Sequence, residues 1–209
     1  MQKIKKFKFS TTDITPMFIW LLVIFITWTF MHGADHFLEL TPEALGKYYN
    51  YKWILISHIT AGGGALILGF IQFWKKLRTY SWKLHRIIGF LYLLAVVVSS
   101  FCAAVLAFTT SYDVNLAYAF SLQIWVSVWI TATVLAYFFV IKKKFKLHQE
   151  WMTRSYIVTM AFVISGLILK TPYVQNLGSF EDISPSLFWM GWAIPLYIYE
   201  IIRSSNQSK

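Results

Sequence analysis

Residues 87–108 read IIGFLYLLAVVVSSFCAAVLAF, from Ile87 to Phe108, without one charged side chain. A helix needs roughly 20 apolar residues to cross the hydrocarbon core of a bilayer. A single segment can satisfy its own backbone in lipid only as a helix. This run is therefore expected to be a transmembrane helix, and it sets the terms for the rest of the chain.

Working outward, five further apolar runs lie at approximately 16–36, 51–74, 117–141, 151–170 and 185–202, each bounded by charge, Pro, Gly or Asn. The expected fold is all-α: an integral membrane six-helix bundle, one transmembrane domain over residues 1–209. Composition points the same way. With 57% hydrophobic residues, 13% charged residues and a mean hydropathy of +0.56, the chain is not an ordinary soluble domain. No small-residue cleavage site follows the first run and five more runs come after it, so it reads as a retained helix rather than a signal peptide.

The net charge of +10 would suggest nucleic acid in a soluble protein, but its distribution says otherwise. Segments 1–15, 75–86, 142–154 and 203–209, on one side of the six runs, hold sixteen Lys and Arg, against Asp13, Glu150 and, assigned to the same side from the end of the last run, Glu200. The other side holds three basic and six acidic residues, so the two sides carry +13 and −3. Basic loops stay in the cytoplasm, which predicts both termini inside. The clusters Lys3-Ile4-Lys5-Lys6 and Lys142-Lys143-Lys144 read as topology determinants, with lipid as the partner and no nucleic acid. Cys102, the single cysteine, sits inside an apolar run as a small core residue and permits no intramolecular disulfide. The sequence has no phosphate-binding glycine loop, no Cys-x-x-Cys and no nucleophile elbow, which argues against ATP-driven work and thiol chemistry.

Ionisable residues inside a membrane are costly and usually functional, so the five histidines are the first candidates. His58 lies about two turns into the second run, and Gly62 shares its helical face in the stretch Ala61-Gly62-Gly63-Gly64-Ala65. A haem edge, a quinone ring, a lipid chain or another helix would each fit that bare surface. Ala61, Ala65 and Gly69 form a small-xxx-small stripe of the kind that brings helices close. His32 and His36 have i, i+4 spacing with Asp35 beside them; together with His58 they form a candidate zinc site at the outer face. His85 and His148 mark the cytoplasmic entrances of helices three and five, where two imidazoles of similar depth suit the axial positions of a haem b iron. Arg86 and Arg154 would pair with its propionates, or else with lipid phosphate or Glu150 and Glu200. The plainer alternative is that these His and Arg side chains anchor helix ends at headgroup level.

The stretches Gly69-Phe70-Ile71-Gln72-Phe73, Leu84-His85-Arg86-Ile87-Ile88-Gly89-Phe90-Leu91-Tyr92 and His148-Gln149-Glu150-Trp151-Met152-Thr153-Arg154-Ser155, with His58 and its glycine-rich turn, carry a family resemblance. Over about residues 51–170 the chain resembles a bacterial family of predicted multi-pass membrane proteins of unknown function. That resemblance implies a bacterial cytoplasmic membrane location and directs attention to His58, Gln72, His85, Arg86, His148, Trp151 and Arg154. There is a looser likeness, in hydropathy and His placement only, to b-type cytochrome membrane reductases. The leading functional expectation is a membrane redox protein whose histidines bind haem b or serve a quinone, an oxidoreductase if it turns over substrate. The alternatives are a zinc-dependent membrane enzyme such as a lipid hydrolase, and a carrier for a small lipophilic ligand.

Overall fold

The computed structural model describes residues 14–207, which are 90% helical with no strand among them. Six long helices follow one another: α1 Ile14–His32, α2 Lys52–Gln72, α3 Trp82–Phe108, α4 Leu116–Ile141, α5 Phe145–Leu169 and α6 Phe180–Gln207. The segments Pro42–Gln72, Trp82–Phe108, Leu116–Ile141 and Phe145–Leu169 are long and apolar enough to cross a membrane. α6 falls short on composition, because Pro185, Pro195 and several Ser and charged residues dilute its apolar content. Described α1 side chains contribute a shorter apolar stretch, Leu21–His32. The basic cluster Lys3–Lys6 and the placement of the first residues lie outside the described part.

Helices α2 to α5 close a ring: α2 packs on α3, α3 on α4, α4 on α5, and α5 back on α2. α6 lies in the groove between α4 and α5, and α1 packs against α5. The core where the four helices meet is built on Ala65, Tyr92, Val96, Trp125, Trp129, Met152 and Val158. What distinguishes the bundle from a soluble one is the distribution of polarity. Phe90, Phe101 and Phe108 of α3 and Val134, Phe138 and Ile141 of α4 face outward. The fully buried polar residues among those described are Ser and Thr without exception, including Ser99, Ser121, Thr133, Ser155 and Thr159. Lipid favours this inversion, since apolar rings cost nothing on the outside while small hydroxyls bond backbone carbonyls inside.

Close approach depends on glycine at chosen points. A Cβ on Gly69 would lie 2.5 Å from the Tyr156 ring and 2.7 Å from that of Tyr92, so the α2 backbone occupies the space a side chain would need. The small-residue stripe of α2 is accordingly a packing surface, with Ala65 and Gly69 buried. Helix α1 is held at its bundle-facing stripe, Val23, Ile26, Thr27, Phe30 and Met31, all half-buried. Phe30 rests against Gly166 and Met31 against Gly63.

The first helix was expected to run to about residue 36, and it ends at His32. Gly33, a poor helix residue, receives the Lys170 ammonium where a side chain would stand. Asp35–Glu39 then form a separate 3-10 turn.

Candidate functional site around His58

His58 projects from α2 toward α3, where Ser99 meets it twice. Its Nδ1 lies 3.0 Å from the Ser99 carbonyl oxygen and 2.9 Å from Ser99 Oγ, while Ser99 Oγ donates to the His58 carbonyl at 3.0 Å. The reciprocal bond fixes the imidazole plane. It is possible because Gly62, one turn on, has no side chain: a Cβ there would sit 3.2 Å from Ser99 Oγ. Gly62 is therefore a close-approach residue that lets α3 reach the histidine.

The other edge of the ring faces a cavity of about 260 Å³. Its walls are apolar: Phe30 and Met31 from α1, Leu55, Ile59 and Leu66 from α2, Ala103 and Leu106 from α3, Leu122 and Val126 from α4, and Phe162 from α5. Phe162 meets His58 edge-on at 5.9 Å and is backed by the buried Trp125, on which it stacks at 3.9 Å. Tyr48, Ser111 and Tyr118 line the part near the ends of the helices, with the Lys47 ammonium 5.1 Å from both tyrosine rings.

Trp129 and Thr159 also line the cavity and belong to a hydroxyl chain in the bundle centre. Trp129 Nε1 donates to Thr159 Oγ1 at 2.8 Å, and Thr159 Oγ1 donates to the Ser155 carbonyl at 2.9 Å. Thr133 Oγ1 donates to the Trp129 carbonyl at 2.9 Å, so its 2.7 Å partner Ser155 Oγ is the donor there, and Tyr92 must in turn donate to Ser155. With every proton assigned, this chain seals one end of the cavity with satisfied groups.

The inner histidines sit elsewhere. His148 Nδ1 donates to the Ala136 carbonyl of α4 at 2.8 Å, which leaves its Nε2 with the lone pair. The His85 carbonyl accepts from Gln72 Nε2 at 2.8 Å, the ring lies 5.6 Å from Trp82, and its buried Nδ1 has no hydrogen-bond partner. The two rings lie within electrostatic reach of one another. The arginines divide. Arg154 Nε and Nη2 bind Glu200 Oε1 at 2.7 and 2.6 Å, and Arg203 bridges to Glu150 at 2.8 Å, so Arg154 takes the carboxylate option and fastens α5 to α6. Arg86 is exposed in a surface groove beside Trp82, Lys83 and Phe90.

His32 and His36 do not converge on His58. His32 Nδ1 pairs with Asp35 Oδ2 at 2.6 Å on an exposed surface, and His36, exposed in the 3-10 turn, packs on Phe37. Because the α-helical register breaks at Gly33, the i, i+4 spacing no longer places the two imidazoles on one helical face. Among the described residues no group of three or more His, Cys, Asp or Glu is arranged to hold a metal ion.

Sequence reasoning did not find Ser99, Trp129, Phe162 or the tyrosines of the outer mouth. Ser99, a hydroxyl in the middle of an uncharged span, was the signal available. Compared with known proteins, the chain matches the family described as "Predicted membrane protein (DUF2306)" over residues 55–203, from α2 through most of α6. No curated protein and no solved structure matches it, and the looser likeness to b-type cytochrome reductases finds no support.

Proposed function

We propose, from the premise that this chain belongs to the DUF2306 family of predicted membrane proteins, that it is a membrane redox protein serving a lipophilic ring compound of the quinone class. The observation that carries this reading is the 260 Å³ apolar cavity with the free edge of His58 in its wall. Pockets of about 300–1,000 Å³ hold drug-sized ligands. A space just below that range suits one substituted ring, with its tail leaving between helices, better than it suits a macrocycle. Phe162, backed by Trp125, offers a flat ring a stacking partner, and His58 offers its oxygen a polar one.

In this reading α1 and α6 join the four apolar spans to make six crossings, in the cytoplasmic membrane of a bacterium. The basic connections 75–86 and 142–154 face the cytoplasm, along with both ends of the bundle. The cavity then lies in the outer half, open to ligand from the outer leaflet.

The test is ligand binding in lipid nanodiscs, read by quenching of tryptophan fluorescence. A decyl-substituted benzoquinone and its reduced form are titrated separately. At least one is expected to quench saturably, and Ala103→Phe, which fills the cavity from α3, is expected to abolish that response. Saturable binding unchanged in a folded Ala103→Phe protein would sink the proposal.

A second reading concerns the inner pair. The Nε2 lone pair of His148 and the buried, partnerless Nδ1 of half-buried His85 leave imidazole nitrogens free to take an iron between α3 and α5, supporting haem b as an electron carrier there. A Soret band in purified protein, lost in His148→Ala, is the expected outcome. A colourless protein after expression with haem precursor supplied removes this reading.

A further inference from the structure

The hydrogen bonds that hold His58 also decide what its free edge presents to the cavity. The Ser99 carbonyl oxygen only accepts, so the Nδ1 that lies 3.0 Å from it bears the proton. Ser99 Oγ does not change that assignment: its one proton is directed at the His58 carbonyl, so toward Nδ1 it offers a lone pair. A neutral imidazole has one ring proton, and with that proton on Nδ1 the Nε2 atom is an acceptor. None of the residues lining the cavity is Asp or Glu, so nothing there stabilises a second proton and a cationic ring. No hydrogen bond among the described residues engages Nε2, and the half-buried residue lines the cavity. The Thr159 hydroxyl is already committed to the Ser155 carbonyl, and the hydroxyls of Tyr48 and Tyr118 lie toward the outer mouth.

We infer that the His58 cavity selects ligands that donate a hydrogen bond: lipophilic ring compounds carrying a hydroxyl, such as a phenol or the quinol form of a quinone, over carbonyl or ether forms of the same skeleton. This rests on the cavity being a ligand site, as proposed above, and adds which chemical form it takes. A quinone carbonyl would bring one lone pair against another at Nε2. A hydroxyl turned to Nε2 forms a bond in a site shielded from water, and His58 is then the proton acceptor of the bound ligand. A metal ion also takes such a lone pair, but no second His or Cys side chain stands in the wall to share it.

A closed-shell pair of ligands isolates this one interaction. 4-Nonylphenol and its methyl ether are titrated into the wild-type protein in nanodiscs, with tryptophan fluorescence as the readout. The phenol is expected to bind at least about tenfold more tightly than the ether, the effect of one hydrogen bond to a group that otherwise stays unpaired. In His58→Phe the phenol is expected to fall to the affinity of the ether, while the ether is unchanged. His58→Gln keeps a polar side chain should Phe disturb folding; its amide both donates and accepts, so it is expected to narrow the preference and to raise affinity for the quinone carbonyl. Equal, saturable binding of phenol and ether to wild type overturns the donor selectivity and leaves the cavity reading in place. Absence of binding by either in folded protein, together with no response to the quinone couple, overturns both. A phenol preference that persists in both His58 variants assigns the hydroxyl to another residue and overturns the role given to His58.

Discussion

Tyr92 of α3 and Ser155 of α5 meet at 2.7 Å across the centre of the bundle, joining two helices that lie diagonally in the four-helix ring. Each residue stands seven positions beyond a histidine, His85 and His148 respectively. Seven residues are close to two full turns, so each histidine points the same way as the hydroxyl about 10 Å deeper along its helix. The two imidazoles therefore stand on the helical faces that carry these hydroxyls, with His148 turned to the Ala136 carbonyl of α4. The contact between Tyr92 and Ser155 also starts a one-way chain of donors, from Tyr92 to Ser155 to Thr133 to the Trp129 carbonyl.

Tyr92→Phe removes the first donor of that chain and leaves Ser155 still bonded to Thr133. Hydroxyl bonds between helices in membranes contribute about 0.6 kcal/mol on average and about 1.7 at most. Unfolding of the purified variant in mixed detergent micelles is expected to show a loss within that range. A loss several times larger would mean that the chain acts as one cooperative unit.

Gly69 tests the packing of α2. Its Cβ would stand 2.5 Å from Tyr156 and 2.7 Å from Tyr92, whereas one on Gly64 would only touch the Ala95 methyl at 4.0 Å. Gly69→Ala is expected to cost about 1–3 kcal/mol through overpacking. Gly64→Ala is expected to be neutral or slightly stabilising, since Ala is the better helix residue. The same unfolding measurement decides both, and equal effects would remove the distinction.

These two glycines also show what could be read in the sequence. The small-xxx-small stripe of Ala61, Ala65 and Gly69 announces close packing, because side-chain size is a local property. The four central spans are legible for the same reason, hydrophobicity being additive along a run. Which helix comes close is a tertiary fact: Ser99, forty-one residues away, meets His58, and no spacing rule points to it. His32 and His36 illustrate the opposite case. Their i, i+4 spacing has meaning only while the α-helix continues, and Gly33 with the inserted Lys170 ends it. The glycine was visible, but the lysine that takes its side-chain space lies just past the end of α5.

The six-crossing arrangement is tested by cysteine labelling, with Cys102→Ser as the background. A single cysteine in place of Gly178, on the exposed connection between α5 and α6, is expected to react with a membrane-impermeant maleimide added to intact cells. Lys144→Cys and Asn206→Cys are expected to react only after the cells are opened. Labelling of Asn206→Cys from outside would show that α6 does not cross.

Arg154 is placed to hold α6 against α5. Its guanidinium binds Glu200 and lies 4.6 Å from the Trp151 ring and 5.2 Å from that of Tyr199, with the side chain only 12% exposed. Arg154→Ala is expected to cost about 1.5–3 kcal/mol, the range for a hydrogen bond to a charged group. Arg154→Lys is expected to recover part of this, since a lysine keeps the charge but not the fork. In a double-mutant cycle Glu200→Ala is expected to add little to Arg154→Ala; full additivity would show that the two are not coupled.

Asn115 performs two tasks at the start of α4. Its Oδ1 accepts from the Tyr118 N–H at 2.7 Å and caps α4, while its Nδ2 donates to the Glu181 carbonyl of α6 at 2.9 Å. That carbonyl needs a donor because residue 185, which would supply the helical N–H, is a proline. The two tasks separate by substitution. Asn115→Asp keeps the cap and loses the donor, Asn115→Ala loses both, and loss of the cap alone costs about 1 kcal/mol. Asn115→Ala is therefore expected to be the less stable of the two. Pro185→Ala restores an N–H to the Glu181 carbonyl, so it is expected to rescue Asn115→Asp fully and Asn115→Ala only in part. Unfolding midpoints of the four proteins check this, and rescue of both variants to the same stability would show that the cap contributes nothing.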